Sequence, residues 1–158
     1  MDPHDSELWD HSIVPLEIRV ATDSDSDAIA RLLDQLGYPA NTAEIPTRLD
    51  RLSHADRTAV FLADRDGKVV GLATVHILSV LNRIRDVAWL TALVVDNSVR
   101  GTGVGRRLVE SVEAFARQQG CERLSVTTHE DRADARAFYV RIGFEPTGRR
   151  FGKVLTQS

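Results

Sequence analysis

Apolar positions along this chain change period several times, and each change marks an element. Residues 16–21 alternate apolar with charged side chains, as a half-buried strand does. Ile29, Leu32, Leu33 and Leu36 then keep helical spacing, in a helix that Thr22 or Ser24 can cap and Gly37 ends. Ile45, Leu49 and Leu52 fall on one side of a second helix over about residues 41–53. Two strands follow, over 59–63 and 68–78, joined by Arg65-Asp66-Gly67, where Asp-Gly supplies the backbone freedom of a hairpin turn. A turn over 81–86 returns the chain into a strand over 87–96, so the middle of the chain is an antiparallel meander.

Helical spacing resumes at Val104, Leu108, Val109, Val112, Phe115 and Ala116, and Gly120 stops it. Leu124, Val126 and Thr128 alternate along another strand, and a short helix over about 132–142 ends at Gly143. Residues 144–148 and 149–155 predict a closing strand pair. The order is strand, two helices, three strands, helix, strand, helix and two strands. That is mixed α/β, and it disfavours a doubly wound, all-parallel sheet.

At 158 residues, with 42% hydrophobic and 27% charged, the chain has the size and composition of one compact soluble domain, taken to span 16–158. Residues 1–15 are mainly polar and read as a mobile N-terminal arm. Asp2, Asp5, Glu7 and Asp10 stand where a signal peptide carries basic residues, and no apolar run approaches a membrane span. The lone Cys121 cannot form an intramolecular disulfide, which points to a reducing, cytoplasmic setting.

A net charge of −3 without a long basic block argues against a nucleic-acid partner. Acidic residues gather toward the front of the chain and arginines after Arg100, which suits an anionic cosubstrate at one end and a cationic amine at the other. No metal site is expected, because His4, His11, His54, His76 and His129 lack the companion spacings of a zinc site. Asp23, Asp25 and Asp27 lack the central glycine and terminal glutamate of a calcium loop and read as a charge cluster at a helix start.

The candidate chemistry lies in Val99-Arg100-Gly101-Thr102-Gly103-Val104-Gly105-Arg106, between an apolar strand and an amphipathic helix. A glycine-rich turn there aims backbone N–H groups and the helix's positive end at a phosphate. Alternating glycines, with Arg106 in the third glycine's place, do not fit the G-x-G-x-x-G dinucleotide fingerprint, and no G-K-[ST] follows for a Walker loop. What remains is R-x-x-G-x-G.

That motif, after Leu93-Val94-Val95, resembles the pyrophosphate motif of the GNAT superfamily of acyl-CoA-dependent N-acyltransferases, matched here by Arg100, Gly103 and Gly105. A second match lies at Ala135-Arg136-Ala137-Phe138-Tyr139-Val140-Arg141-Ile142-Gly143-Phe144, similar to the family's A-x-x-F-Y-x-x-x-G-F segment. The resemblance implies a mixed, mostly antiparallel central sheet flanked by helices and splayed between its fourth and fifth strands. It implies acetyl-CoA as cosubstrate, with Leu93, Val94 and Val95 offering main-chain groups to the pantetheine arm and Arg100, Gly101, Thr102, Gly103, Val104, Gly105 and Arg106 holding the pyrophosphate. It also implies Tyr139 as the acid that protonates the leaving thiolate, and a homodimer paired through the late strands.

The resemblance further implies a primary amine as acceptor, on a small molecule or a peptide, whose proton needs somewhere to go. Many members of the superfamily carry a glutamate a few residues before the L-x-V segment, but Ala88-Trp89-Leu90-Thr91 holds none. Asp86, His76 and an ordered water remain as proton acceptors. Two further departures are Arg132, where relatives often have asparagine, and Asn97, where a proline is frequent.

Overall fold

The computed structural model describes residues 15–55, 57–128 and 132–156; the expected N-terminal arm lies outside these apart from Pro15, as does His129. The chain divides into two compact units, one ending at Ser125 and the other beginning at Val126.

In the first unit the meander predicted from alternation forms the centre of a five-stranded sheet. Its strands are β1 (Leu16–Val20), β2 (Thr58–Arg65), β3 (Lys68–Leu78), β4 (Val87–Val95) and β5 (Arg123–Val126), in the order β1-β2-β3-β4-β5. β1 to β4 pair antiparallel, while β5 runs parallel to β4. Asp66 and Gly67, both at positive φ, close the β2–β3 hairpin as its Asp-Gly pair predicts.

Helices cover both faces. Ile29 and Leu32 of α1 (Ser26–Leu36) and Ile45 of α2 (Ile45–His54) bury against Val60, Leu62, Leu72 and Val94 on one face. α3 (Val104–Gln118) lies on the other, where Phe115 meets Phe61 edge-on. Its approach to β3 is close at Gly71, where a Cβ would stand 2.8 Å from Leu108 Cδ1 and 3.1 Å from Val104 Cγ1, so these side chains would have to shift to admit one. The absence of a side chain at Gly71 lets the first turns of α3 pack this close to the sheet.

Two bulges interrupt the ladders. Val70 is the extra residue between β2 and β3, and Thr91 the extra residue between β3 and β4. At the second, Thr91 Oγ1 donates to the Thr74 carbonyl at 3.2 Å, tying the bulge to the neighbouring strand. β5 has four residues and enters beside the start of β4, where Glu122 N–H donates to the Asp86 carbonyl at 3.0 Å. β5 is thus much shorter than the nine-residue β4 beside it.

Asp25 closes the start of α1. Its carboxylate takes two bonds from Arg19, at 2.8 and 2.9 Å, and one from the Thr22 N–H at 2.9 Å, while Arg19 Nε reaches Asp64 at 3.1 Å. The acidic front is thus partly neutralised from within.

Two expectations differ from the structure. Before Pro46 the predicted second helix is a 3-10 turn, Thr42–Glu44, with Ala43 N–H bonded to the Asn41 side chain. Residues 144–156 form no strand among the described residues. Pro146, Gly148 and Gly152 weaken ladder pairing in that stretch, and Phe151, Val154 and Leu155 stand exposed. The second unit consists of the end of β5, α4 (Ala133–Arg141) and this irregular tail. No helix among the described residues is long and apolar enough to cross a membrane.

Candidate active site

The cradle forms where β4 leaves the sheet and α3 begins. Gly101 and Gly103 adopt φ +78° and +90°, left-handed conformations that strain other residues, and nothing lies within 4 Å of a Cβ at either. Gly103 is the N-cap of α3, and Arg107 N–H donates to its carbonyl at 3.1 Å as the first turn closes. The N–H groups of Val104, Gly105 and Arg106 precede that bond and have no partner within the helix. They form the positive end of a fifteen-residue helix whose N-cap, Gly103, has no atom within 4 Å of where a Cβ would stand, and such an end suits an anion.

Arg100 is exposed, and its Nε donates to the Val95 carbonyl at 3.3 Å, folding it back over the end of β4. Thr102 Oγ1 donates to the Val99 carbonyl at 2.6 Å, so its hydroxyl braces the loop. Arg106 is exposed, with Glu110 at 4.0 Å. These residues fit a pyrophosphate through backbone amides and two flanking guanidinium groups.

Sequence reasoning missed what aims the loop. Asp96 is buried, and its Oδ1 accepts from the Ser98 N–H at 3.0 Å and the Ser98 hydroxyl at 2.7 Å. Its Oδ2 faces Gln35 at 3.5 Å and Arg31 at 3.7 Å, and Gln35 also accepts from the Asn97 N–H at 3.0 Å. The Asp96 N–H donates to the bulge residue Val70 at 2.8 Å. The bonds from Ser98 hold the carboxyl down at about 2. The Asp-Asn-Ser spacing was the available signal, since an Asp side chain commonly bonds the backbone two residues on.

At the other end of β4, about 30 Å from the cradle for nine extended residues, Asp86 is held in place. Arg57 pairs with one carboxylate oxygen, Ser79 donates to the other at 2.9 Å, and together they pull the acid below its ordinary range. Arg57 also reaches the side chain and carbonyl of Gln119, at 2.9 and 2.6 Å. Arg57, just before β2, therefore links Asp86, just before β4, to the end of α3. His76 of β3 is half-buried opposite Trp89, with Nδ1 3.4 Å from Thr58 Oγ1, and burial lowers its pKa.

In the second unit Tyr139 stacks edge-on between Phe138 and Phe144, each 5.4 Å away. Burial pushes its hydroxyl up to about 12, with Arg132 acting in the opposite sense, so it stays protonated at neutral pH.

The chain matches the family model described as the acetyltransferase (GNAT) family over residues 26–144. It is 31% identical over 148 residues to an aminoalkylphosphonate N-acetyltransferase of Salmonella typhimurium, covering 88% of this chain and 91% of the relative. It is 34% identical over 137 residues to an aminoglycoside N(6')-acetyltransferase of Stenotrophomonas maltophilia, covering 84% and 88%. In fold it resembles an aminoglycoside N-acetyltransferase solved with CoA, with TM-score 0.79, 23% identity and coverage of 89% and 95%.

Replacing Asp96 with Ala should unhook the loop from α1 and cost about 1–2 kcal/mol at pH 7. Because folding lowers this carboxyl from 3.8 to about 2, its contribution is complete above pH 5 and fades as pH falls through 4 toward 2. Urea titrations should therefore show a gap between Asp96→Ala and the parent that narrows from pH 7 to pH 3. An equal gap at both values would remove the charge from the explanation.

Proposed function

Because this chain belongs to the GNAT acetyltransferase family, we propose that it moves an acetyl group from acetyl-CoA to a primary amine by direct attack. The observation that carries this reading is the left-handed glycine turn, with its unpaired helix N–H groups, that follows the end of β4. In it Arg100, Gly101, Thr102, Gly103, Val104, Gly105 and Arg106 hold the pyrophosphate, and Leu93, Val94 and Val95 offer main-chain groups to the pantetheine arm.

The reaction needs protons to move at both ends. An alkyl amine of pKa about 10 is only about a thousandth deprotonated at pH 7, a deficit of about 4 kcal/mol unless something accepts its proton. The departing thiolate gains from a donor at sulfur, the role given to Tyr139, whose hydroxyl keeps its proton at neutral pH. Asp86 has no part as a base in this reading, since a carboxylate occupied by Arg57 and Ser79 has little affinity for a further proton.

The acceptor class is a small-molecule amine, by analogy with the named activities of the Salmonella and Stenotrophomonas relatives. A peptide amine is the broader alternative. A second reading, an acyl-CoA-binding domain with little turnover, draws on the missing glutamate in 88–91. Thiol release from acetyl-CoA with an amine panel decides between them: release supports the enzyme, and binding without release supports the second reading.

Three outcomes test the parts. Gly103→Val should raise the acetyl-CoA dissociation constant at least tenfold, about 1.4 kcal/mol, and lose some stability because valine resists φ +90°. Calorimetry finding unchanged affinity in a folded variant would remove the cradle. Tyr139→Phe keeps the packed ring and removes the proton, so affinity should survive while turnover falls about 10²–10⁴-fold. Turnover within twofold of the parent, with chemistry limiting, would make Tyr139 structural. Finally, the exposed Phe151, Val154 and Leu155 suit pairing with a second copy, and light scattering at micromolar concentration should give a dimer. The mass of one chain would count against it.

A further inference from the structure

The two faces of the sheet differ in what they leave open around the bulge of β4. On the α3 face Ala73, Val75, Ile77, Ala88 and Leu90 are all buried. On the other face α1 and α2 cover Val60, Leu62, Leu72 and Val94. Beyond those residues Thr58, His76 and Trp89, three register partners on adjacent strands, are half-buried, and Leu78 and Thr91 are exposed. An amine reaching β4 has this face to approach from.

A thioester carried along β4 from the cradle meets the same place. Thr91 lies four residues back from Val95, about 13 Å along an extended strand. Trp89 follows one pleat beyond, beside His76. Among the residues that β2, β3 and β4 present to this open stretch, Thr58, His76, Leu78, Trp89 and Thr91, His76 is the one that can accept a proton near neutrality.

The surroundings leave it available. Thr58 and Trp89, which face it from β2 and β4, carry no charge. Arg57 pairs with Asp86, and on α2 Arg48 pairs with Glu44 and His54 with Asp50, while Arg51 of α2 is exposed. Thr58 Oγ1 stands 3.4 Å from Nδ1. With Nδ1–H turned toward that oxygen, Nε2 carries the lone pair.

Resting on the acetyltransferase reading above, we propose that His76 is the general base of the reaction, accepting at Nε2 the proton of the attacking amine. The amine nitrogen's lone pair forms the bond to the thioester carbonyl carbon, and its N–H proton passes to Nε2. The C–S bond breaks with its electron pair on sulfur, which takes the proton of Tyr139. His76 then releases its proton to solvent, Tyr139 regains one, and the products are an amide and the free thiol. Thr58 is a positioning residue, holding the ring at Nδ1 and leaving Nε2 toward the substrate. Burial, which disfavours the imidazolium, lowers the pKa of His76 and so favours the neutral form that accepts a proton.

The test uses the whole chain, acetyl-CoA, and 2-aminoethylphosphonate and an aminoglycoside as acceptors, with thiol release followed from pH 5 to 9. His76→Ala should lose at least a hundredfold in kcat/KM for the amine while calorimetry shows acetyl-CoA binding unchanged. Toward the acid end of that pH range the parent's log kcat/KM should fall more steeply than the variant's, by up to one unit per pH unit, and added imidazole should restore at least tenfold of the lost rate. His54→Ala should leave both properties alone. His76→Gln, which keeps a hydrogen-bonding side chain, gives the same reading if the alanine variant folds poorly. Parent turnover with His76 variants within threefold and an unaltered acid limb would overturn the base and leave the acetyltransferase reading intact. A parent that binds acetyl-CoA but acetylates neither these acceptors nor a wider amine panel would overturn both.

Discussion

The candidate site depends on N–H groups that α3 cannot use itself. Any helix leaves its first amides without intrahelical partners, and most proteins satisfy them with a capping side chain. Here the N-cap is glycine, which has no side chain to offer, and the space in front of it is open. The cost of those unsatisfied amides is the source of their affinity for an anion. A conventional Ser or Asp cap would supply an acceptor from within and compete with a phosphate for the same donors.

Such a turn works only if it is aimed, and the aim comes from elements distant in sequence. Asp96 ties the loop to Gln35 of α1, its own N–H ties it to the bulge residue Val70, and Gly71 lets α3 settle on β3. Arg57 performs the matching task at the far end, joining β2 to Asp86 and to the close of α3. β4 is thus fixed at both ends while its middle carries a bulge. Rigidity sits where orientation matters, and the irregular backbone sits where a ligand could approach.

Local signals were legible and long-range ones were not. Alternation found β2 to β4, the Asp66-Gly67 turn declared itself, and the glycine spacing after Arg100 marked the cradle, because each depends on neighbours in the chain. The role of Asp86 did not follow from position alone: its partners Arg57 and Ser79 lie in other segments, and no periodicity reports an ion pair. The bulges at Val70 and Thr91 are mismatches between two strands and cannot be read from either one. The tail misled for a related reason, since 149–155 has strand-like residues but no partner within the described chain.

The missing glutamate is informative in the same terms. A carboxylate on the open face of β4 would have to remain available as a base, and most acids of this chain's first unit that sit near the sheet have been drawn into other work. Asp25 and Asp64 hold Arg19, Asp86 holds Arg57, and Asp96 holds the loop. Each such pairing stabilises the charged form and so weakens the acid as a proton acceptor. A half-buried imidazole between Thr58 and Trp89 is under the opposite pressure, because its surroundings favour the neutral form that a base must have. In this arrangement the residues that build the frame and the residue suited to move a proton are separated by what surrounds them.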